Sequence, residues 1–329
     1  MMIKILFVTD IHGSDLVFRK FLNALSIYKA NIGILMGDLC GKMLHPIVKQ
    51  VDGSYRCTVM GSQRTASSEE QLKEIEKDIA SMGNYCFYTD PEEMNRLRIE
   101  GKTIEGRIDE RAAGVTLGAG KIDDLFRKAV VERLNGWMKL AEERLEGKDI
   151  EVFMAPGNDD LMEVNAVIDS SSRIKSADNQ RNIIGEHEMI TLSWSNPTPW
   201  NTERECSEEE LENKIDQMVA QIENMETAIF NLHVPPYDTL LDKAPKLSEK
   251  LVPSTEETVS AGSQAVRRAI EKYQPMMALH GHIHESPGVI KIDRTVCMNP
   301  GSEYSEGILK GLLITLKDGK IKNQIFVSG

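Results

Sequence analysis

An α/β fold whose polar residues gather at one sheet edge is what this 329-residue sequence predicts. Three observations carry that expectation. Residues 1–41 read as strand, helix, strand; strand-like segments return from Ile150 onward; and short clusters of Asp, Asn, Gly and His close the buried strands at their carboxyl ends. Ligand sites in such sheets form at that edge, so the fold prediction already says where chemistry would sit.

Residues 3–9 are apolar and β-branched, as a strand buried on both faces should be. Residues 15–30 place Val17, Phe21, Ala24, Leu25 and Tyr28 near 3.6 spacing, an amphipathic helix. Asn31-Ile32-Gly33 leads into a second buried strand, Ile34-Leu35-Met36. Residues 42–149 then change character. Residues 48–60 alternate around Asp52-Gly53, a hairpin turn. Residues 68–82 form a helix opened by a Ser68/Gln71 capping box and stopped by Gly83. Residues 100–120 are charged and glycine-rich, a stretch expected to be mobile. The helix over 122–145 carries Ile122, Leu125, Phe126, Ala129, Val130, Leu134, Trp137 and Ala141 on one stripe, the pattern of core packing. Strands follow at 150–155, 188–194, 228–232, 276–279 and 296–299. A helix over 207–225 opens with a Ser207/Glu210 capping box, and a hairpin over 312–326 turns at Asp318-Gly319.

Composition narrows the function. Lys plus Arg number 39 against 51 for Asp plus Glu, a formal charge of −12, so the surface repels nucleic-acid backbone and nucleic acid is not the expected partner. The longest apolar runs fall far short of the roughly 20 residues of a membrane span. The opening apolar run is stopped by Asp10 without a small-residue cleavage site, so no signal peptide is expected. Five scattered cysteines argue against a disulfide framework and for a reducing cytoplasm.

The polar clusters are Asp10-Ile11-His12, Gly37-Asp38, Gly157-Asn158-Asp159-Asp160, His233 and Gly281-His282-Ile283-His284, each after a strand. Carboxylates, one carboxamide and imidazoles, without thiolate, suit a divalent metal pair. Residues two apart in an extended segment point the same way, so Asp10 and His12 can face one ion, as can His282 and His284 across a tight turn. Glycine at 37, 157 and 281 leaves room for close backbone approach. His45, His187 and His280 lie outside the pattern; His187 reads as a surface residue and His280 as a hydrogen-bonded core histidine.

This ordered series resembles the calcineurin-like metallophosphoesterase superfamily over residues 1–41 and about 150–305, with Asn299-Pro300-Gly301-Ser302 similar to a turn of its small phosphodiesterase branch. The resemblance implies a four-layer α/β/β/α sandwich of two mixed β-sheets flanked by helices, with residues 42–149 inserted into a single domain as a cap or dimerisation segment. It implies that Asp10, His12, Asp38 and His284 hold one divalent ion and that Asp38, Asn158, His233 and His282 hold a second. The metal would be Mn, Fe, Ni, Co or Zn. Asp38, Asn158, Asp159 and His233 would serve catalysis, with in-line attack by a hydroxide held between the ions. Many members carry His where this chain has Asp159, which either faces the phosphate or caps a helix starting at Leu161. An ionised Asp159 repels a dianion more than a monoanion, so the expected substrate is a small phosphodiester. The alternatives are a phosphomonoesterase, a nucleotide pyrophosphatase or a catalytically weak metal-binding scaffold, and a homo-oligomer formed through the insertion.

Overall fold

The computed structural model describes residues 2–100 and 120–329, so apart from its two ends the charged stretch at 100–120 lies outside the described residues. The chain opens as β1 (Met2–Thr9), α1 (Asp15–Ile27) and β2 (Ile32–Met36). Alternation along β1 serves two cores at once: Ile5 and Phe7 face the second sheet, while Leu6 and Val8 face the helices. The Ser14 hydroxyl caps α1 by accepting from the Val17 amide.

The inserted segment comprises β3 (Leu44–Lys49), β4 (Tyr55–Val59), β5 (Ser62–Ala66), α2 (Glu69–Ser81), β6 (Tyr85–Thr89), α3 (Pro91–Glu100) and α4 (Lys121–Leu145). Its strands make a separate sheet in the order β5-β4-β3-β6. Ile75 and Ile79 of α2 pack there on Ile47, Cys57, Val59 and Ala66. Ser68 caps α2 as expected, but the Gln71 side chain accepts from the Ser67 amide, one residue early for a capping box. The α4 stripe joins the main core, where Trp137 stacks on Phe18 at 4.5 Å between ring centroids and its indole N–H donates to Asp15. That stripe is therefore spent within the chain.

The remaining elements are β7 (Glu151–Ala155), α5 (Val164–Asp169), β8 (Ile174–Ser176), β9 (Gln180–Ile184), β10 (His187–Leu192), α6 (Glu208–Val219), β11 (Ile229–Leu232), β12 (Lys243–Leu247), β13 (Pro253–Ser260), α7 (Gln264–Tyr273), β14 (Met277–Leu279), β15 (Gly288–Ile292), β16 (Thr295–Asn299), β17 (Lys310–Lys317) and β18 (Lys320–Ser328). One sheet runs β18-β17-β1-β2-β7-β8 and the other β15-β16-β14-β11-β10-β9. Each has a parallel centre and antiparallel strands at an edge, so both are mixed. Ile5, Phe7, Ile34, Met36 and Phe153 of the first meet Met189, Ile229, Met277, Leu279 and Met298 of the second in one apolar layer. Helices α1, α4 and α5 cover the first sheet, and α6 and α7 the second. This is the four-layer sandwich the resemblance implied.

Two local expectations need correction. Helix α6 stops at Val219 rather than at 225, because the amides of Glu223 and Asn224 turn aside to donate to the Glu188 carboxylate. His187 is 1% exposed, its Nδ1 2.9 Å from the Thr227 carbonyl, although its glutamate neighbours suggested surface. Among the described residues, no helix is long and apolar enough to cross a membrane.

Candidate metal centre

Parallel strands β1, β2 and β7 of one sheet, and β11 and β14 of the other, end on the same edge. Each delivers its polar cluster there. The turns are tight, and Asp10, His12 and His282 sit at φ of 52°, 39° and 65°. Non-glycine residues occupy that region at a cost of about 1–3 kcal/mol each. Backbone bonds hold the strain, the His12 amide donating to the Asp38 carbonyl at 2.9 Å and the Gly13 amide to that of Leu39 at 2.7 Å. A Cβ at Gly157 would fall on Asp38, and one at Gly281 on Thr9 and Asp10, so both glycines are required by close approach.

Three groups of candidate ligands result, with donor atoms in each within 4.8 Å of one another: Asp10, His12 and His284; Asp10, Asp38 and His233; and His12, Asp38 and Asp159. The Nε2 atoms of His12 and His284 face each other at 3.1 Å. Asp38 spans the clusters, one oxygen 3.7 Å from His12 Nε2 and the other 3.6 Å from His233 Nε2. Asn158 Oδ1 lies 2.9 Å from His233 Nε2, and its amide nitrogen donates to the Thr202 hydroxyl at 2.8 Å, which keeps the carbonyl end on the site. His282 lies at the margin: it belongs to none of the three groups, and its ring meets His233 edge-on at 5.1 Å.

The charges are crowded. Burial pushes the Asp38 carboxyl well up, and the neighbouring carboxylates of Asp159, Asp10 and Asp160 push it further. Burial would also raise Asp10, but His233, His284 and the Thr9 hydroxyl outweigh it and hold this carboxyl low. Burial lowers His12, His233 and His284, and takes His282 down to about 3, leaving neutral imidazoles with a lone pair to give. The buried Nδ1 of His233 has no hydrogen-bond partner. Mutually repelling carboxylates, facing neutral imidazoles and an orphaned ring nitrogen are what cations would satisfy. The donor set therefore fits divalent metal.

The roles of several neighbouring residues come from contacts that no spacing in the sequence announces. Asp160, fully buried, accepts from the amides of Leu39 at 2.8 Å, Cys40 at 2.6 Å and Gly157 at 3.0 Å, tying the β2 and β7 loops together. The buried Arg204 donates to the carbonyls of Asp160 and Leu161 and to Asn165. The Tyr304 ring lies against that of His12, tilted by 41° with centroids 4.5 Å apart. Asp159 does not cap a helix: α5 begins at Val164, and the Asp159 carboxylate pairs instead with Lys42 at 3.2 Å. His280 is the core histidine expected, with Nδ1 2.9 Å from the Leu232 carbonyl.

Burial holds His280 down to about 4. The unfolded chain, with an ordinary imidazole near 6.5, therefore binds this proton first, and stability is full above that value and lost as the pH falls towards 4. In chelator-treated protein the melting midpoint should drop through that window, with His280 accounting for about 3 kcal/mol. A midpoint that stays level from pH 6.5 to 4 would contradict this.

Residues 3–286, which include all seven candidate ligand positions, match the calcineurin-like phosphoesterase family. A curated relative, the uncharacterized protein MJ1162 of Methanocaldococcus jannaschii, is 32% identical over 154 residues, or 46% of this chain and 64% of that protein. The matched stretch thus spans less than two thirds of that relative. Among solved structures, TT1561 of Thermus thermophilus is similar with a TM-score of 0.52 and 12% identity, covering 100% of this chain and 99% of that one. Another reaches 0.58 at 15% identity over 98% of each chain. At such identities the structural likeness is one of fold. With the family match spanning most of the chain and the whole Asp, Asn and His edge, this protein belongs to the calcineurin-like phosphoesterase family.

Proposed function

We propose that this protein is a metal-dependent phosphoesterase, and specifically a phosphodiesterase acting on a small diester with two divalent ions. Asp10, His12, Asp38 and His284 would hold one, and Asp38, Asn158, His233 and His282 the other. The observation that carries the reading is the Asp38 carboxylate, whose two oxygens face histidines of different clusters. Bound there, divalent ions supply Lewis acidity to the phosphoryl oxygens and an activated nucleophile near neutral pH.

The chain's own residues do the rest. Thr202 fixes the Asn158 amide, and Asp160 fixes the loops that carry Asp38 and Asn158, so the donors are positioned in advance. A cavity of about 760 Å³ beside His284, lined by Pro287, Ser302, Tyr304 and Phe326, has room for the organic part of an ester. Asp159 reaches the surface at the cluster, where its charge disfavours a phosphate dianion and tolerates a diester monoanion. The −12 charge supports a small substrate over a polyanion, and the scattered cysteines support a cytoplasmic setting.

Protein loaded in turn with Mn, Fe, Ni, Co and Zn, assayed on bis-p-nitrophenyl phosphate and p-nitrophenyl phosphate, tests the reading. The diester should be the better substrate by kcat/KM. A preference for the monoester would overturn the diester reading, and inactivity with every metal would favour a binding scaffold.

A further inference from the structure

We propose that Lys42 contacts the phosphoryl group of the substrate, supplying the positive charge that many relatives place at the position of Asp159. The inference rests on the phosphoester reading above and deepens it.

Lys42 lies in the loop between β2 and β3, shortly after Asp38, with its Nζ 3.2 Å from Asp159 Oδ2. Asp159 in turn shares a candidate ligand group with His12 and Asp38. The Lys42 side chain remains 52% exposed and that of Asp159 32%, so an incoming anion can reach both. Across from them Tyr304 covers the His12 ring and borders the cavity beside His284.

The other cations nearby are committed. Arg204 is buried on the carbonyls of Asp160 and Leu161 and on Asn165. Arg133 donates to the carbonyls of Gly13 and Asn84. Lys310 pairs with Glu303 at 3.0 Å. Among the described residues, Lys42 is the basic side chain that pairs with a cluster carboxylate and stays exposed.

An ammonium is a compact charge with three donors on a flexible stem. One N–H can stay on Asp159 while the others meet phosphoryl oxygens. Asp159 then acts as a positioning residue for the ammonium, while its own charge still repels a dianion more than a monoanion. An exposed pair of this kind adds little to folding, so Lys42 can be replaced without unfolding the chain.

The test uses metal-loaded wild type, Lys42→Met and Lys42→Arg, with metal content and melting measured beside function. Lys42→Met should lower kcat/KM on bis-p-nitrophenyl phosphate by about 10²-fold, as loss of one preorganised donor does. It should also weaken binding of inorganic phosphate, followed calorimetrically, by about tenfold or more, with metal content and melting unchanged. Lys42→Arg should recover most of the phosphate affinity. Wild-type kinetics and phosphate affinity in Lys42→Met would overturn the proposal, as would loss of metal from that variant. The phosphate arm stands apart from turnover. If wild type hydrolyses neither ester yet binds phosphate through Lys42, the function reading fails and the Lys42 contact holds.

Discussion

Replacing Asp38 with alanine is expected to strip more than one metal ion per chain and to lower turnover by about 10³-fold or more. The carboxylate faces His12 with one oxygen and His233 with the other, so its loss opens both clusters. Each ion contributes several kcal/mol of charge stabilisation, and about 1.4 kcal/mol corresponds to a factor of ten. Metal analysis beside steady-state kinetics checks the result. Full metal content with full activity would mean that the ions sit elsewhere. A second readout separates this from simple damage. Asp38 is buried among Asp159, Asp10 and Asp160, which repel its charge, so Asp38→Asn should raise the melting midpoint of the metal-free protein while destroying activity. Strain kept for function and relieved by mutation is a common feature of active sites.

The second large effect is expected far from any ligand in sequence. Gly83, which follows α2 in the inserted segment, has a φ of 83°, and a Cβ there would fall on the carbonyl of His12. A Cβ at Gly13 or Gly41 would likewise fall on the Gly83 carbonyl, and the Ser14 hydroxyl donates to the Ser81 carbonyl at 2.6 Å. Gly83→Ala should therefore cost about 2–4 kcal/mol and weaken metal binding, because the backbone at His12 must yield to the new Cβ. Gly61→Ala is the control: its φ is 74°, and nothing lies within 4 Å of its Cβ position. Melting and metal titration of the two variants separate left-handed strain, common to both, from the clash at His12. Equal effects would show that the insertion does not support the metal loop.

The convergence of the candidate ligand positions on one edge was legible because each motif follows a buried strand, and parallel strands bring their carboxyl ends together whatever the distance along the chain. Lys42, Tyr304 and Arg204 were not, and Asp160 was read only as a member of the Gly157-Asn158-Asp159-Asp160 cluster. Their residue types are common, and their meaning comes from contacts such as the 3.2 Å approach of Lys42 to Asp159, which no spacing announces. The same holds for the fold. Strands β1, β2 and β7 are apolar runs and read easily. Strand β5 is Ser-Gln-Arg-Thr-Ala and β13 is largely exposed, so pairing with a neighbour, not burial, makes them strands. His187 misled because local charge says little about a side chain that turns inward onto Thr227.

The pairing of β2 with β7 bears on how the chain folds. Ile32 lies opposite Glu151 although an entire sheet and three helices intervene. A flexible chain pays only about 0.6 kcal/mol for each doubling of such a loop, but the search for the partner strand slows as contacts become less local. The intervening segment has its own apolar cluster and mostly local strand pairs, so it can condense first and bring the ends of β2 and β7 together as a folded spacer. Asp38 and Asn158 would meet only after that step, and His233 and His284 only once the second sheet has docked. Capture of metal would then be one of the last events in folding, and a chain able to hold metal here would be one whose two sheets have already found each other.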